Sequence, residues 1–190
     1  MQRITVFCGA SEGARPEYAT EAATLGRTLA MAGIGVVYGG ASTGLMGIVA
    51  DSALAHGGEV IGVIPRDLVA HEVAHQGLTA QYVVDSMHER KALMAKLGDG
   101  FVSLPGGMGT AEEFFEVVTW AQLGFHDKPC ALVNTYGFYE PLLGFLRHAA
   151  DEGFVHRRYL DNISVAAHAT DVLELLRMHQ PLPHLFAPGS

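Results

Sequence analysis

Hydrophobic and polar positions along this chain alternate between two periods, one typical of strands and one typical of helices. Short apolar runs at residues 4–8 and 34–38 have the length and the β-branched side chains of buried strands. Between them, apolar residues recur at helical spacing over residues 16–31, and Gly33 marks the end of that helix. The pattern predicts further strands at 60–64, 82–84, 101–104, 131–134 and 163–166, and further helices at about 47–56, 86–97, 110–122, 138–152 and 170–179.

Strands that alternate with helices indicate a parallel sheet covered on both faces and joined by right-handed crossovers. We therefore predict an α/β fold, a single-domain Rossmann-like three-layer sandwich with a mostly parallel sheet of about seven strands. The length of 190 residues suits one domain with a sizeable core. The predicted boundaries are residues 1–180 for the domain and residues 181–190 for a C-terminal tail.

Three of the predicted strands end in small, turn-forming residues. These turns are Gly9-Ala10-Ser11, Gly39-Gly40 and Pro105-Gly106-Gly107. Ligands of parallel sheets bind beyond the carboxyl ends of the strands, where these turns would converge. Each turn alone has a structural explanation, because any strand-to-helix turn accommodates glycine. The three together favour a site of nucleotide size.

The third turn belongs to the stretch FVSLPGGMGTAEEFFEVVTWAQ, residues 101–122. It reads as a buried strand, a glycine-rich turn and a helix that starts at Thr110. Glycines allow the backbone to approach a ligand, and the N–H groups of a first helical turn favour phosphate oxygens. The turn matches neither the dinucleotide motif GxGxxG nor the Walker motif GxxxxGK[ST]. We therefore expect a phosphate site of another kind.

Glu113 has a structural explanation in this stretch. Thr110 and Glu113 have the spacing of a capping box, in which the Glu side chain bonds the N-cap amide. The spacing alone favours that role over catalysis.

A second element shifts the balance toward catalysis. Residues 86–91, SMHERK, begin a helix just after a strand, and Ser86 and Glu89 form another predicted capping box. Arg90 and Lys91 are then cations in a first turn, where the helix dipole disfavours them. A solvated surface pair is the common explanation, but at the ligand end of a sheet an anionic partner fits better. Arginine suits phosphate or ribose oxygens through its fork of donors.

Composition excludes several classes of function. The net charge of −8 argues against non-specific binding to nucleic acid or to anionic membranes. The first residues enter a strand without a signal-peptide core, and no apolar run reaches the length of a membrane span. Cys8 and Cys130 lack CxxC spacing and read as reduced core residues. We expect a cytoplasmic protein.

Three segments together resemble the Lonely Guy family. They are SMHERKALM, LPGGMGTAEE and VTWAQLGFHDKP, supported by FCGAS, VYGGASTGLMGIVADSA and VIGVIPRDL. The likeness runs from about Val6 to about Val155. Members of the family are cytokinin riboside 5′-monophosphate phosphoribohydrolases, often labelled lysine decarboxylase-like. The resemblance implies a nucleotide-binding catalytic domain that cleaves cytokinin riboside monophosphates, and AMP, to free base and ribose 5-phosphate without a cofactor.

The resemblance also implies roles for individual residues. Arg90 and Glu113 match the family's catalytic pair, and the loop from Gly107 to Thr110 matches its phosphate-binding loop. Ala10 replaces a family serine, which places one hydroxyl contact in doubt while Ser11 remains. The expected substrate-binding residues are Gly9, Ser11, Gly39, Gly40, Gly44, Glu72, Met87, Arg90, Lys91, Gly106, Gly107, Met108, Gly109, Thr110, Glu113 and Thr119, and no metal is expected.

These residue types suit the chemistry. Cleavage of a nucleoside builds oxocarbenium character on the ribose, which a nearby carboxylate stabilises. Glu113 would orient or deprotonate water, bond the ribose hydroxyls, or form a covalent intermediate, and the sequence leaves these alternatives open. Arg90 would keep Glu113 ionised and grip substrate oxygens. No residue stands out as the acid for the departing base.

Three rival functions have less support in the sequence. His71-Glu72-Val73-Ala74-His75 is a literal HExxH, but it lies in a short connection rather than on a helix, and His71-Glu72 matches a basic-Glu pair of the family. Lysine decarboxylation would need pyridoxal phosphate on a lysine, and no lysine has a supporting context. A nucleotide or molybdenum-cofactor carrier of the same fold would not require the carboxylate at position 113.

The apolar pattern of the helix after the glycine loop bears on the oligomeric state. It is apolar on more than one side, whereas the helix of a lone domain buries a single stripe. We expect a homodimer through this helix, and the alternative is a central helix in a tight core. The residues concerned are Phe114, Phe115, Val117, Val118, Trp120 and Leu123.

Overall fold

The fold rests on a computed structural model, which describes residues 1–69 and 74–183. Within these ranges, seven strands form one sheet in the order β4-β3-β2-β1-β5-β6-β7, and all neighbouring strands are parallel. The strands are β1 (Arg3–Phe7), β2 (Gly35–Tyr38), β3 (Val60–Pro65), β4 (Ala80–Val84), β5 (Phe101–Ser103), β6 (Cys130–Val133) and β7 (Ser164–Ala166). The predicted α/β fold is confirmed.

Helices cover both faces of the sheet. On one face, Leu25 of α1, Val49 of α2 and Leu173 of α7 belong to a large buried cluster. On the other face, Met94 of α3 and Val117 of α4 belong to a second cluster, beside a smaller one that α5 shares. The helices are α1 (Pro16–Met31), α2 (Gly44–Ala55), α3 (Met87–Leu97), α4 (Met108–Leu123), α5 (Glu140–Asp151), α6 (Arg157–Asp161) and α7 (Val172–Met178).

The strand order reverses next to β1, which fixes where a ligand can bind. From β1 the chain adds β2, β3 and β4 on one side, and it then returns to place β5 on the other side. Phe7 and Ser103, the last residues of β1 and β5, are register partners. Beyond them, the Gly9 N–H donates to the Pro105 carbonyl over 3.1 Å, which joins the two loops. Open α/β sheets bind their ligands at such a switch point.

Most predicted elements agree with the structure to within about two residues. The five-residue helix α6 was not predicted, because it is too short to show a helical period. The helix α4 begins at Met108 instead of Thr110, with Gly107 as its N-cap. This earlier start changes the role of two predicted site residues, as described below.

Two further expectations from the sequence concern the cysteines and membrane-spanning segments. Both cysteines are buried and free. Among the helices of the described residues, none combines the length and the apolarity that a bilayer span requires.

Candidate active site

A cavity of about 250 Å³ lies at the switch point. The loops after β1, β2 and β5 contribute Gly9, Gly39 and Gly107 to its wall, which confirms that the three glycine turns converge. Helices α3 and α4 contribute Arg90 and Glu113. Two distant segments of the sequence thus present a cation and a carboxylate to one cavity.

Arg90 is held against the end of β2. Its side chain is buried at 4% exposure, and Nη2 donates to the carbonyl of Gly39 over 3.1 Å. A Cβ atom at Gly39 would overlap Nη2, so a larger residue there would displace the guanidinium from this position. Met87, one turn earlier on α3, places its Sδ 3.8 Å from Nη1 and also lines the cavity.

Glu113 does not cap its helix, although its spacing from Thr110 suggested that role. Because Gly107 is the N-cap of α4, Thr110 is already the third helical residue and Glu113 lies one turn further on. The predicted Thr110–Glu113 capping box is therefore wrong. Burial raises the pKa of the neighbouring Cys8 thiol, and the negative charge of Glu113 raises it further. Cys8 thus remains a protonated thiol in the cavity wall.

The start of α4, where the sequence predicted an anion site, lies at the cavity. The first N–H groups of a helix have no acceptor inside it, and here they belong to Met108, Gly109 and Thr110. Atoms added as Cβ at Gly107 or Gly109 would meet nothing within 4 Å, so the loop is open on the side of the cavity. At Gly106 a Cβ would overlap the buried Thr110 side chain, so this residue must be glycine for the loop to close.

A second cavity of about 510 Å³ lies on the other side of the glycine loop. It shares Gly9, Ala10 and Gly107 with the first cavity, and Ser11 and Gly106 also line it. Together the two cavities have the size of a small-molecule site.

The start of α2 borders this second cavity. The Leu45 N–H donates to the Gly9 carbonyl over 3.1 Å. Gly44 has φ = +59°, and a Cβ there would overlap the backbone of Ala10. Only glycine fits both requirements, which explains its position between the loop and the helix.

Some predicted site residues lie outside the first cavity. Lys91 turns toward α4, where Nζ donates to Glu112 Oε1 (2.5 Å) and Glu116 Oε1 (3.0 Å). Thr119 lies in a groove of about 270 Å³ that α4 forms with α5 and α6. Met108 is 93% exposed at the first position of α4, while Gly40 follows Gly39 with φ = +84°. Glu72 and its neighbour His71 lie outside the described residues.

The structure adds cavity residues that sequence reasoning missed. Cys8, Met46 and Met94 line the space beside Arg90 and Glu113. Their apolar character predicted core positions, and no motif distinguished them. Cys8 could have been predicted from its position alone, because it directly follows β1 at the carboxyl edge of the sheet, where ligands bind.

The HExxH segment is described only from its fourth residue onward, since His71, Glu72 and Val73 lie outside the described residues. His75 is placed, with Nε2 2.9 Å from Asp51 Oδ1 and Nδ1 accepting from the Gly77 N–H over 3.0 Å. Both ring nitrogens of His75 therefore have protein partners. Within the described ranges, no three His, Cys, Asp or Glu side chains are grouped as a metal site.

Comparison with known proteins gives relatives in sequence. A family model described as possible lysine decarboxylase matches residues 46–176. The cytokinin riboside 5′-monophosphate phosphoribohydrolase of Rhodococcoides fascians is 56% identical over 153 residues, which is 80% of this chain and 77% of that protein. The enzyme of the same name, LOG, of Oryza sativa subsp. japonica is 43% identical over 98% of this chain and 82% of its own length.

Comparison with solved structures gives relatives in fold. The molybdenum cofactor carrier protein of Chlamydomonas reinhardtii superposes with a TM-score of 0.70 at 23% identity, over 93% of this chain and 98% of that one. The molybdenum cofactor binding protein of Rippkaea orientalis gives a TM-score of 0.70 at 19% identity, over 93% and 95% of the two chains. At these identities the likeness concerns the fold alone.

Proposed function

The chain belongs to the Lonely Guy family, and from that premise we propose that it hydrolyses the N-glycosidic bond of cytokinin riboside 5′-monophosphates. The products are the free base and ribose 5-phosphate, and AMP is a second proposed substrate. The observation that carries the proposal is the meeting of Arg90 and Glu113 at one cavity beside the start of α4. A carboxylate, a guanidinium and a phosphate-binding helix start are what cleavage of a nucleoside monophosphate requires.

The substrate phosphate binds at the first turn of α4. The loop from Gly107 to Thr110 is open toward the cavity, and the helix dipole adds a favourable potential for an anion. Ser11, from the loop after β1, lines the adjoining space and supplies a hydroxyl. The phosphate thereby fixes the ribose between the glycine loop and the two charged side chains.

Glu113 acts on the ribose. As the bond to the base breaks, positive charge develops at the anomeric carbon, and the carboxylate stabilises it in a partly enclosed site. Glu113 either orients the attacking water or bonds the ribose hydroxyls as this charge grows. The protonated Cys8 thiol beside it is not the nucleophile, because burial and the Glu113 charge both oppose its ionisation.

Arg90 works from the opposite helix. Its bond to the Gly39 carbonyl holds the guanidinium at the wall of the cavity. A guanidinium at the same cavity as Glu113 grips the substrate oxygens.

The family label of lysine decarboxylase does not suit the lysines. A lysine that forms a Schiff base needs a lowered pKa. Burial alone lowers the pKa of Lys91, but the hydrogen bonds to Glu112 and Glu116 outweigh it, and the net pKa is raised. Lys128 has a lowered pKa from burial, but its Nζ donates to the carbonyls of Ala95 and Gly98 at the end of α3.

The test is release of free base from isopentenyladenosine 5′-monophosphate and from AMP, followed by chromatography. We expect wild-type protein to release base and Glu113→Gln to lose about 10³-fold in kcat, by the scale of a removed transition-state contact. Arg90→Ala should lose turnover to a similar degree. Thermal unfolding of each variant checks the fold. Tight binding of the monophosphates without base release would instead favour a carrier.

A homodimer is part of the proposal. Phe115 and Val118 of α4 line the apolar groove shared with α5 and α6, and Phe145 and Phe154 beside it are 60% and 86% exposed. An apolar surface of this kind is covered in an assembly, and a second copy of the chain supplies a matching face. Chromatography with light scattering should give twice the mass of one chain. Phe154→Glu should lower that mass, and a monomeric wild type would refute the dimer.

The cytoplasm is the proposed compartment. Both cysteines are buried, free thiols, which suits a reducing environment. Fractionation of cells that produce the protein would test this assignment.

A further inference from the structure

Lys91 forms a polar link between the two helices that carry the proposed catalytic pair. It follows Arg90 on α3, and its ammonium reaches Glu112 and Glu116 on α4 over 2.5 and 3.0 Å. Glu112 directly precedes Glu113. The residue next to each proposed catalytic residue is therefore tied to the opposite helix.

Helix geometry connects this link to the positions of the side chains that line the cavity. Successive side chains on an α-helix are about 100° apart, so Arg90 and Lys91 point in different directions from one level of α3. Glu112 and Glu116 are four residues apart and lie on one face of α4, with Glu113 on the adjacent face. Fixing Lys91 between the two carboxylates sets both the rotation and the level of α3 against α4.

The link has one buried end, because Lys91 is buried while the Glu116 and Glu112 side chains are 22% and 54% exposed. The residue is 8% exposed, although an ammonium group is costly to remove from water. Two carboxylates accept two of its three hydrogen-bond donors. Burial alone would lower the pKa of Lys91, but the hydrogen bonds and charges of Glu112 and Glu116 outweigh it, and the net pKa is raised. An ion pair of this kind is weak evidence for added stability, but its hydrogen bonds are directional. The apolar contacts of Met94 and Val117, which belong to one cluster, lack this directionality.

We propose that Lys91 is a positioning residue, whose link to Glu112 and Glu116 sets the distance between Arg90 and Glu113 across the cavity. This role replaces the substrate contact that the family resemblance implied for Lys91, and it rests on the proposed function. It also assigns Glu116 a part in catalysis, although Glu116 does not line the cavity.

The experiment compares Lys91→Met with a matched control, Lys128→Met. Lys128 also anchors α3, through the carbonyls of Ala95 and Gly98, but it lies away from the cavity. We expect Lys91→Met to lower kcat by about 10- to 100-fold with KM changed less than about threefold, because small displacements of reacting groups are costly. Lys128→Met should lose thermal stability while its kcat stays within about threefold of wild type.

Two further variants separate positioning from substrate contact. Glu116→Gln should lower kcat in the same direction as Lys91→Met, and Lys91→Arg should recover most of the loss because it keeps both carboxylates as partners. If Lys91 instead binds the substrate, Lys91→Met raises KM at unchanged kcat and Glu116→Gln has no effect. That result would overturn the proposal.

A readout independent of turnover distinguishes this proposal from the proposed function. Crystal structures of wild type, Lys91→Met and Lys128→Met give the distance between the Arg90 guanidinium and the Glu113 carboxylate. We expect this distance to change only in Lys91→Met, whichever reaction the wild type catalyses. An unchanged distance in Lys91→Met contradicts the positioning role. Absence of base release from wild type contradicts the proposed function alone.

Discussion

Helices α3 and α4 both follow a strand of the sheet, but their N-termini are capped in different ways. At α3, the Ser86 hydroxyl accepts from the Glu89 N–H over 3.1 Å, and a Glu89 carboxylate oxygen accepts from the Asp85 N–H over 2.9 Å. At α4, the N-cap is Gly107, which has no side chain to satisfy the first turn. The protein thus caps one helix start with its own side chains and leaves the other without a side-chain cap, as the proposed phosphate site requires.

The difference also explains where charge is placed. The capped helix α3 carries a buried cation, Arg90, near its start, and the uncapped helix α4 offers N–H groups to an anion. Both face one cavity at the switch point of the sheet. On the proposed function, the cap of α3 is structural, whereas the start of α4, which has no side-chain cap, binds the substrate phosphate.

A side-chain cap introduced at the start of α4 should cause the largest loss of activity. Asp is a preferred N-cap residue, and a Cβ at Gly107 meets nothing within 4 Å, so Gly107→Asp should fold and hold its stability. Its carboxylate would occupy and repel the phosphate site, and we expect kcat/KM for a monophosphate to fall by about 10²-fold or more. Steady-state kinetics and thermal unfolding measure both effects. Gly107→Ala is the neutral control, and equal losses in the two variants would contradict the role of charge.

Removing the cap of α3 should give the opposite pattern. Ser86→Ala deletes the hydroxyl that accepts from Glu89, and we expect a loss of about 1 kcal/mol in the free energy of unfolding. Turnover should stay within about fivefold of wild type, because Ser86 does not line the cavity and α3 remains packed on the sheet. Urea unfolding and base release are the measurements. A loss of turnover as large as that of Gly107→Asp would show that the α3 cap is also functional.

The smallest expected effect is on stability, at the turn that precedes α7, and it depends on pH. The Glu21 carboxylate accepts from the Ala169 N–H over 2.6 Å and lies 3.0 Å from His168 Nδ1, where the turn before α7 begins. The hydrogen bond that His168 donates to Glu21, followed by the negative charge of Glu21, raises the pKa of His168. The stabilisation is therefore complete below the ordinary histidine pKa and is lost as pH rises through the raised value.

Unfolding of wild type and of His168→Ala at a series of pH values tests this account. We expect the difference in the free energy of unfolding to be small and to shrink as pH increases from about 5.5 to about 9. Because the His168 side chain is exposed, added salt should reduce the difference further. A difference that grows with pH would contradict the assigned sign.

Much of this organisation could be predicted from the sequence. The alternation of strands and helices determined the fold class, and glycine turns after three strands indicated one site because carboxyl ends of parallel strands share an edge. The capping box of Ser86 was also predictable, although Glu89 bonds the amide of Asp85 instead of that of Ser86. These features depend on local spacing or on simple topology.

The remaining features depend on contacts across the chain. The Thr110–Glu113 spacing suggested a cap, but the backbone starts α4 at Gly107, and spacing alone cannot tell which neighbouring residue begins a helix. The direction of Lys91 depends on Glu112 and Glu116, which are more than 20 residues away. Glu72, in the HExxH segment, lies outside the described residues and stays a prediction.

The most direct test is a crystal structure of the Glu113→Gln variant with isopentenyladenosine 5′-monophosphate. The account predicts the phosphate at the first turn of α4 and the anomeric carbon within about 4 Å of side chain 113, with Arg90 on the other side of the ribose. A phosphate bound elsewhere, with the ribose remote from residues 90 and 113, would contradict it.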